Sequence, residues 1–338
     1  MNRQRLVAVV LTLTAVVVGI GLGAFDHASR QAMAKPSGRA LAVLFTIPAG
    51  ADLAQIALHM HSAGLISQPA YFAWRTRWAR QASALQAGTY EVLPQDTPST
   101  LLAKFVTGST KTFAITFVEG TRFSDIRRVL DAERNVAHTL TGRSDDEVMQ
   151  ALGLGGQAAE GQFFPSTYHF KANTSDRELL KRAYQRMQKL LALAWARRGV
   201  QLPYNSSYDA LIMASIVEKE TARADERPAI AGVFVRRLRA GMKLQTDPTV
   251  IYGLGANYSG NLRRADLESD TPYNTYTRMG LPPTPIALPG AAALNAAVAP
   301  AAGNALYFVA HGDGSHQFSA NLAEHDEAVR RYQLRASR

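Results

Sequence analysis

Two hydrophobic rhythms alternate along the chain. Three times a short run of alternating apolar and polar residues passes through a turn into apolar residues spaced three and four apart. Phe45-Thr46-Ile47-Pro48-Ala49-Gly50 leads into Leu53, Ile56, Ala57 and Met60; Tyr90-Glu91-Val92-Leu93 leads through Thr97 and Pro98 into Leu101, Leu102 and Phe105; Ile115-Thr116-Phe117-Val118-Glu119-Gly120 leads into Phe123, Ile126, Val129 and Leu130. A period of two marks a half-buried strand and a period of 3.6 an amphipathic helix, so each copy predicts a strand–turn–helix unit. Thr97 and Pro98 suit an N-cap and first turn, and Gly64 and Gly108 suit helix ends. Ser67 to Gln81 predicts a further helix whose Tyr71, Trp74 and Trp78 share one face. Such a stripe is expected in the core, although aromatic faces also stack on sugars.

Beyond residue 115 the helical rhythm dominates. Ser175-Asp176-Arg177-Glu178 is a capping box opening a helix to about Arg198, with Leu179, Ala183, Met187, Leu190, Leu191 and Ala194 as its apolar stripe. A second cap near Asn205 to Ser207 opens a helix that is apolar on nearly every side, Leu211 to Val217. Pro228 starts another, running to Gly241. The tail reads as a hairpin, Leu306 to Ala310 and His316 to Phe318, joined across Asp313-Gly314.

At the other end, Leu6 to Phe25 carries no charge and is rich in Val and Leu. That length crosses a bilayer as a helix. Arg3 and Arg5 before it favour a cytoplasmic N-terminus. A cleaved signal peptide is the rival, but Ala32-Met33-Ala34 lies well beyond the apolar run and the run is long for a signal core. An uncleaved single-pass anchor in the inner (cytoplasmic) membrane is therefore expected, with everything past about residue 40 exported to the periplasmic side. Asp26 to Ala40 reads as a polar linker. The expected division is a stub, anchor and linker over 1–40, a small unit of alternating strands and helices over 41–112, and a larger unit over 113–338, in the α+β class.

Composition narrows the chemistry. At 338 residues and 47% hydrophobic the chain can bury a sizeable core, and it holds no cysteine. The net charge of +10 sits largely in Arg177 to Arg198 and in Arg236, Arg237 and Arg239. Solvated helix faces account for it most simply, an acidic wall glycan being the functional alternative. No nucleic-acid-binding signature accompanies the charge, so nucleic acid is not an expected partner. No phosphate-cradling glycine loop or Ser/His/Asp nucleophile pattern is present. His311, Asp313 and His316 span a tight turn without a zinc signature, so no metal and no other cofactor is expected.

One residue breaks the apolar helix. Glu218 falls beside Leu211, Ala214 and Ser215 on the helical wheel. A carboxyl taken out of water there has its pKa raised, and a carboxylic acid still protonated near neutrality can act as a general acid. The helix pattern alone fits two roles equally: that acid, or a structural acid paired with Lys219 or an arginine. Glu220 lies nearly opposite on the wheel and reads as a structural partner. Asp247-Pro248 reads as an N-cap and first turn more readily than as a second working carboxylate. Gln245, Tyr252, Tyr273, Asn274, Thr275 and Tyr276 suit contacts to sugar hydroxyl and N-acetyl groups, and equally suit loop-fixing hydrogen bonds.

The strings Ala214-Ser215-Ile216-Val217-Glu218-Lys219-Glu220-Thr221, Arg227-Pro228-Ala229-Ile230-Ala231-Gly232-Val233-Phe234, Gly241 to Gly253, Thr271-Pro272-Tyr273-Asn274-Thr275-Tyr276 and Gly280 to Ile286 occur in this order. With Glu160 to Tyr168 upstream, the chain resembles the endolytic murein transglycosylases of the YceG/MltG-like family. Ser166 and Ser315 depart from the family's usual acidic residue and glycine. In pattern, residues 41 to about 110 resemble a LysM-like peptidoglycan-binding subdomain. The resemblance implies a membrane-anchored lytic transglycosylase with Glu218 as its acid. Such an enzyme cuts MurNAc–GlcNAc bonds within nascent glycan strands, leaves 1,6-anhydro-MurNAc ends, and works beside membrane-bound peptidoglycan synthases. Two rivals remain: a muramidase using Glu218 with Asp247 or Glu160 as the second carboxylate, and a wall-binding scaffold without catalysis.

Overall fold

The computed structural model describes residues 3–199 and 202–333. The chain is mixed α+β and divides into two compact units, residues 1–113 and 114–338.

In the first unit α1 (Arg3–Ala34) is followed by β1 (Val43–Ile47), α2 (Leu53–Ser62), α3 (Pro69–Trp78), β2 (Gly88–Val92) and α4 (Pro98–Thr107). β1 and β2 pair antiparallel, Phe45 opposite Tyr90. The period-two runs thereby turn Phe45, Ile47, Tyr90 and Val92 onto one buried face against Ile56, Met60, Phe72, Leu101 and Phe105. Caps fix the helix starts: Asp52 accepts from the Gln55 N–H, and Thr97 from the Thr100 N–H. Gly108 closes α4 at φ 66°, where a side chain would be strained.

Two expectations need correction here. The stretch after Phe25 is not a polar linker as far as Ala40: α1 continues to Ala34 and buries Met33 in this unit's core. Nor is the aromatic stripe of α3 core. Phe72, Ala73 and Thr76 are the buried residues, whereas Trp78 is 74% exposed.

The second unit begins within β3 (Thr112–Thr116), which pairs with β5. It continues with α5 (Phe123–Ala132), β4 (Val136–Ala137), α6 (Asp145–Ala151), β5 (Thr167–Lys171), β6 (Thr174–Ser175), α7 (Asp176–Ala196) and α8 (Ser207–Glu220). Then come α9 (Arg227–Arg239), α10 (Asp247–Leu254), α11 (Arg264–Glu268), α12 (Ala291–Val298), the antiparallel hairpin β7 (Tyr307–Ala310) and β8 (His316–Ser319), and α13 (Leu322–Tyr332).

α8 is the hub. Its residues Ala210 to Val217 are all buried, and α7, α9, α10 and α12 pack around it. Each large side chain so enclosed contributes roughly 1.5–3 kcal/mol. The small residues of α12, Ala-Ala-Ala-Leu-Asn-Ala-Ala-Val, permit a close approach. At Gly232 on α9 a Cβ would stand 2.6 Å from the Ala301 carbonyl oxygen, so glycine is required where that segment crosses. Ser206 caps α8 by accepting from the Asp209 N–H, fixing where the helix starts and which residues form its last turn.

Candidate active site

The last turn of α8 presents two carboxylates to different surroundings. Residues two apart are separated by about 200° around a helix.

Glu218 is packed away. Its Oε1 accepts from Arg227 Nη2 at 2.7 Å and its Oε2 from the Gly290 N–H at 2.9 Å; the side chain is 4% exposed and that of Arg227 8%. Burial raises its pKa, opposed by the Gly290 N–H and the Arg227 charge, with nearby Glu119 adding to the rise. Gly290 precedes α12 and Arg227 opens α9. The carboxylate thus ties the end of α8 to the starts of two neighbouring helices. Both its oxygens have partners within the protein, an arginine among them.

Glu220, expected to be a structural partner, has different surroundings. It stands in the wall of a cleft of about 480 Å³, beside Gln245, Thr246, Asp247, Tyr276, Arg237 and the hairpin residues Tyr307, Phe308 and His316. Its Oε1 accepts from the Thr246 hydroxyl. Burial pushes its carboxyl up to about 7, the Thr246 bond opposing and the Asp247 charge adding to the rise. A carboxyl balanced near neutrality in a cleft wall can deliver a proton and then take one back.

Asp247 is not the cap of α10. Thr246 occupies the cap position, and Asp247 is the first helical residue, its carboxylate accepting from the Tyr276 hydroxyl at 2.5 Å. Burial and the Asp247 charge hold the Tyr276 phenol above its ordinary value, so it remains a donor. Gln245 adopts φ 52°, an uncommon conformation for a side-chain-bearing residue. Arg237 holds it there: Nη1 donates to the Leu244 carbonyl at 2.9 Å and to Gln245 Oε1 at 3.2 Å. Arg237 is only 7% exposed and Arg236 donates to the Ala301 and Ala305 carbonyls, so neither belongs to a solvated face.

Of the residues expected to bind sugar, the structure therefore brings Gln245 and Tyr276 to this cleft. Asn274 and Thr275 are fasteners. Asn274 is 0% exposed, and its Nδ2 donates to the Leu267 and Ser269 carbonyls at 3.0 and 2.7 Å. Thr275 Oγ1 accepts from the Thr246 N–H at 3.1 Å and lies 2.9 Å from Thr249 Oγ1. Tyr252 and Tyr273 pack on each other, ring centroids 4.9 Å apart. Tyr252 donates to Glu160 Oε2 at 3.2 Å, while Glu160 Oε1 accepts from the Phe123 N–H at 3.0 Å. This second buried carboxyl is also pushed up to about 7 by burial, against those bonds and the Arg122 charge. In the hairpin, Asp313 accepts from Ser315, His311 Nδ1 lies 2.7 Å from Ser315 Oγ, and His316 Nδ1 lies 2.7 Å from Glu226 Oε2.

Of the cleft residues, the sequence reading passed over Thr246, took Glu220 for a structural partner and placed Arg237 on a charged face. The available signal was the Glu-Lys-Glu step itself, which places one acid on each face of the helix end.

Residues 45–331 match the YceG-like family. Over 308 residues the chain is 30% identical to the endolytic murein transglycosylase of Bacillus subtilis strain 168, covering 86% of this chain and 84% of that protein. Over 317 residues it is 27% identical to the endolytic murein transglycosylase of Streptococcus pneumoniae strain R6, covering 84% of this chain and 57% of that longer protein. The crystal structure of a YceG-like protein from Listeria monocytogenes matches with a TM-score of 0.50 at 28% identity, covering 85% of this chain and 99% of that one. The chain, mixed α+β with one long apolar helix near its N-terminus, belongs to the YceG-like family.

Proposed function

We propose that this protein is an endolytic murein transglycosylase whose proton donor is Glu220, in place of the Glu218 that the family resemblance implied. The observation that carries this assignment is the place of the Glu220 carboxyl in a cleft wall with Asp247 and Tyr276 beside it, where burial raises its pKa. Glu218, in contrast, has both oxygens bound to Arg227 and Gly290.

Protonated Glu220 donates to the oxygen of the MurNAc–GlcNAc linkage as the C1–O bond breaks. The resulting carboxylate accepts the proton of the MurNAc C6 hydroxyl as O6 bonds to C1. The product carries a 1,6-anhydro ring, no water is consumed, and the acid is regenerated. The nucleophile belongs to the substrate, so much of its entropy cost is already met and one carboxyl suffices. Gln245, Tyr276 and Asp247 are the candidate substrate contacts.

α1 serves as a membrane anchor in this reading: the helix over Leu6–Ala34 is long and apolar enough to span, with a mean hydropathy of 2.5 over an 18-residue window. The catalytic unit then works on the outer, periplasmic side on nascent strands, with membrane-bound synthases as partners and a LysM-like, glycan-binding first unit.

Product analysis tests the chemistry. Purified murein digested by the wild-type protein should yield anhydro-ended fragments, and Glu220→Gln should yield none while remaining folded. Fragments with a water-added reducing end would replace the transglycosylase by a muramidase using Asp247 as its second carboxylate. Intact strands after treatment with the folded wild-type protein would leave only a binding scaffold.

A further inference from the structure

We propose that the exposed aromatic and basic face of α3 is a membrane-surface seat, which holds the first unit against the lipid headgroups where α1 leaves the bilayer. The proposal rests on the anchor reading of α1 given above and adds a second contact between the protein and the membrane.

α1 is one continuous helix across the point where its character changes. The 20 residues from Leu6 to Phe25 carry no charge. They rise roughly 30 Å, about the thickness of a hydrocarbon core. Phe25 thus marks the exit, and it is there that α3 is attached. The Phe25 ring meets those of Tyr71 and Trp74 edge-on, centroids 5.1 and 5.0 Å apart. One residue later Asp26 Oδ1 accepts from Arg75 Nη1 at 2.7 Å, and further along the Ser99 hydroxyl of α4 donates to the Met33 carbonyl at 3.0 Å. Helix and unit are therefore fastened together, so the depth of one sets the depth of the other.

Trp78 stacks on Trp74, centroids 5.6 Å apart, yet is 74% exposed. A single exposed apolar residue would mean little. Here the exposed ring extends an aromatic cluster that begins on the apolar helix, one turn of α3 beyond the exit point. Arg77 and Arg80, both exposed, flank it. Tryptophan and tyrosine favour the headgroup layer, where the ring is half desolvated and its N–H or O–H stays hydrated. Arginine on the same face pairs with lipid phosphates, its stem lying along the apolar surface. A glycan strand is the other partner to which an exposed tryptophan could offer its face, but continuity with the apolar helix favours lipid.

The test uses the full chain in nanodiscs of phosphatidylethanolamine and phosphatidylglycerol. Trp74→Phe with Trp195→Phe leaves Trp78 as the sole tryptophan. Because the chain has no cysteine, Trp78→Cys carrying a polarity-sensitive dye gives the same reading with Trp74 intact. The expected result is quenching by headgroup-spin-labelled lipid, a blue shift, and loss of iodide quenching, all without added murein. Insertion of α1 is scored separately by resistance to alkaline carbonate. Carbonate-resistant protein whose position 78 remains open to iodide and unquenched by the spin label overturns the seat and leaves the anchor standing. Shielding that appears only when glycan strands are added also overturns it, assigning the face to sugar. Release by carbonate removes the anchor reading and the seat with it.

Discussion

Glu218 and Glu220 differ by a single intervening lysine and face opposite fates. Glu218 meets a guanidinium and a helix-start N–H, which use both its oxygens. Glu220 meets a hydroxyl and a like charge in the wall of a cleft. Burial raises the pKa of both. Desolvation alone therefore does not distinguish a working acid from a structural one. The distinction lies in what the carboxyl faces: Glu218 meets a fixed cation, which favours its ionised form against the effect of burial, whereas Glu220 meets a like charge in a cleft wall, which adds to the effect of burial.

The largest effect should separate the two acids outright. Glu220→Gln keeps the size and the Thr246 contact but cannot donate a proton, so turnover on murein should fall about 10²–10⁴-fold with little change in melting temperature. Turnover rates on purified strands, alongside thermal melts, check this. A Glu220→Gln protein with undiminished turnover would return the acid to Glu218 or elsewhere.

Glu218→Ala should have the converse signature. It leaves Arg227 buried without its partner, a change that costs about 3–5 kcal/mol in other proteins. The expected result is a clear loss in denaturant midpoint, with activity retained in the fraction that stays folded. Unaltered stability joined to abolished activity would reverse the two assignments.

Stability should also depend on pH in a way that Glu220 controls. Its ordinary value is 4.5 and its folded value about 7. Below 4.5 both states carry the proton and the burial costs nothing extra. As pH rises toward 7 the unfolded chain ionises first, so stability falls, by an amount on the order of 3 kcal/mol, and then levels off. Glu160, raised to about 7 by burial, acts with the same sign. Denaturant melts from pH 4 to 8 should therefore show a decline for the wild-type protein and a visibly shallower one for Glu220→Gln. Equal slopes would mean that Glu220 is ionised in the fold.

What the sequence disclosed follows a physical boundary. Local rhythm and caps act within a few residues, so the three strand–turn–helix copies, the Ser175 and Ser206 starts and the Asp313-Gly314 hairpin could all be read directly. The family could also be read, because its motifs are strings. Partnerships over long separations could not. That Gly290 would meet Glu218, or that Thr246 would meet Glu220, depends on how loops return to the end of α8. The helical wheel correctly set the two acids on opposite sides, yet gave no means of telling which side would be filled by an arginine. Asn274 and Thr275 show the same limit, since the polar loop residues that suit sugar contacts are also those that tie loops together.

The smallest effect tests the cleft's internal coupling. Asp247 helps to hold the Glu220 proton by like-charge repulsion, so Asp247→Asn removes that push while retaining an oxygen for the Tyr276 hydroxyl. The alkaline limb of kcat/KM, expected near the Glu220 value, should move to lower pH by about one unit or less, with activity on the acid side preserved. A limb that stays in place would show that burial alone sets the acid. Activity lost at every pH would show that Asp247 works on the substrate itself, as a second carboxylate must in a hydrolase. The direction of this one small shift thus distinguishes an acid tuned by its neighbour from a pair that shares the chemistry.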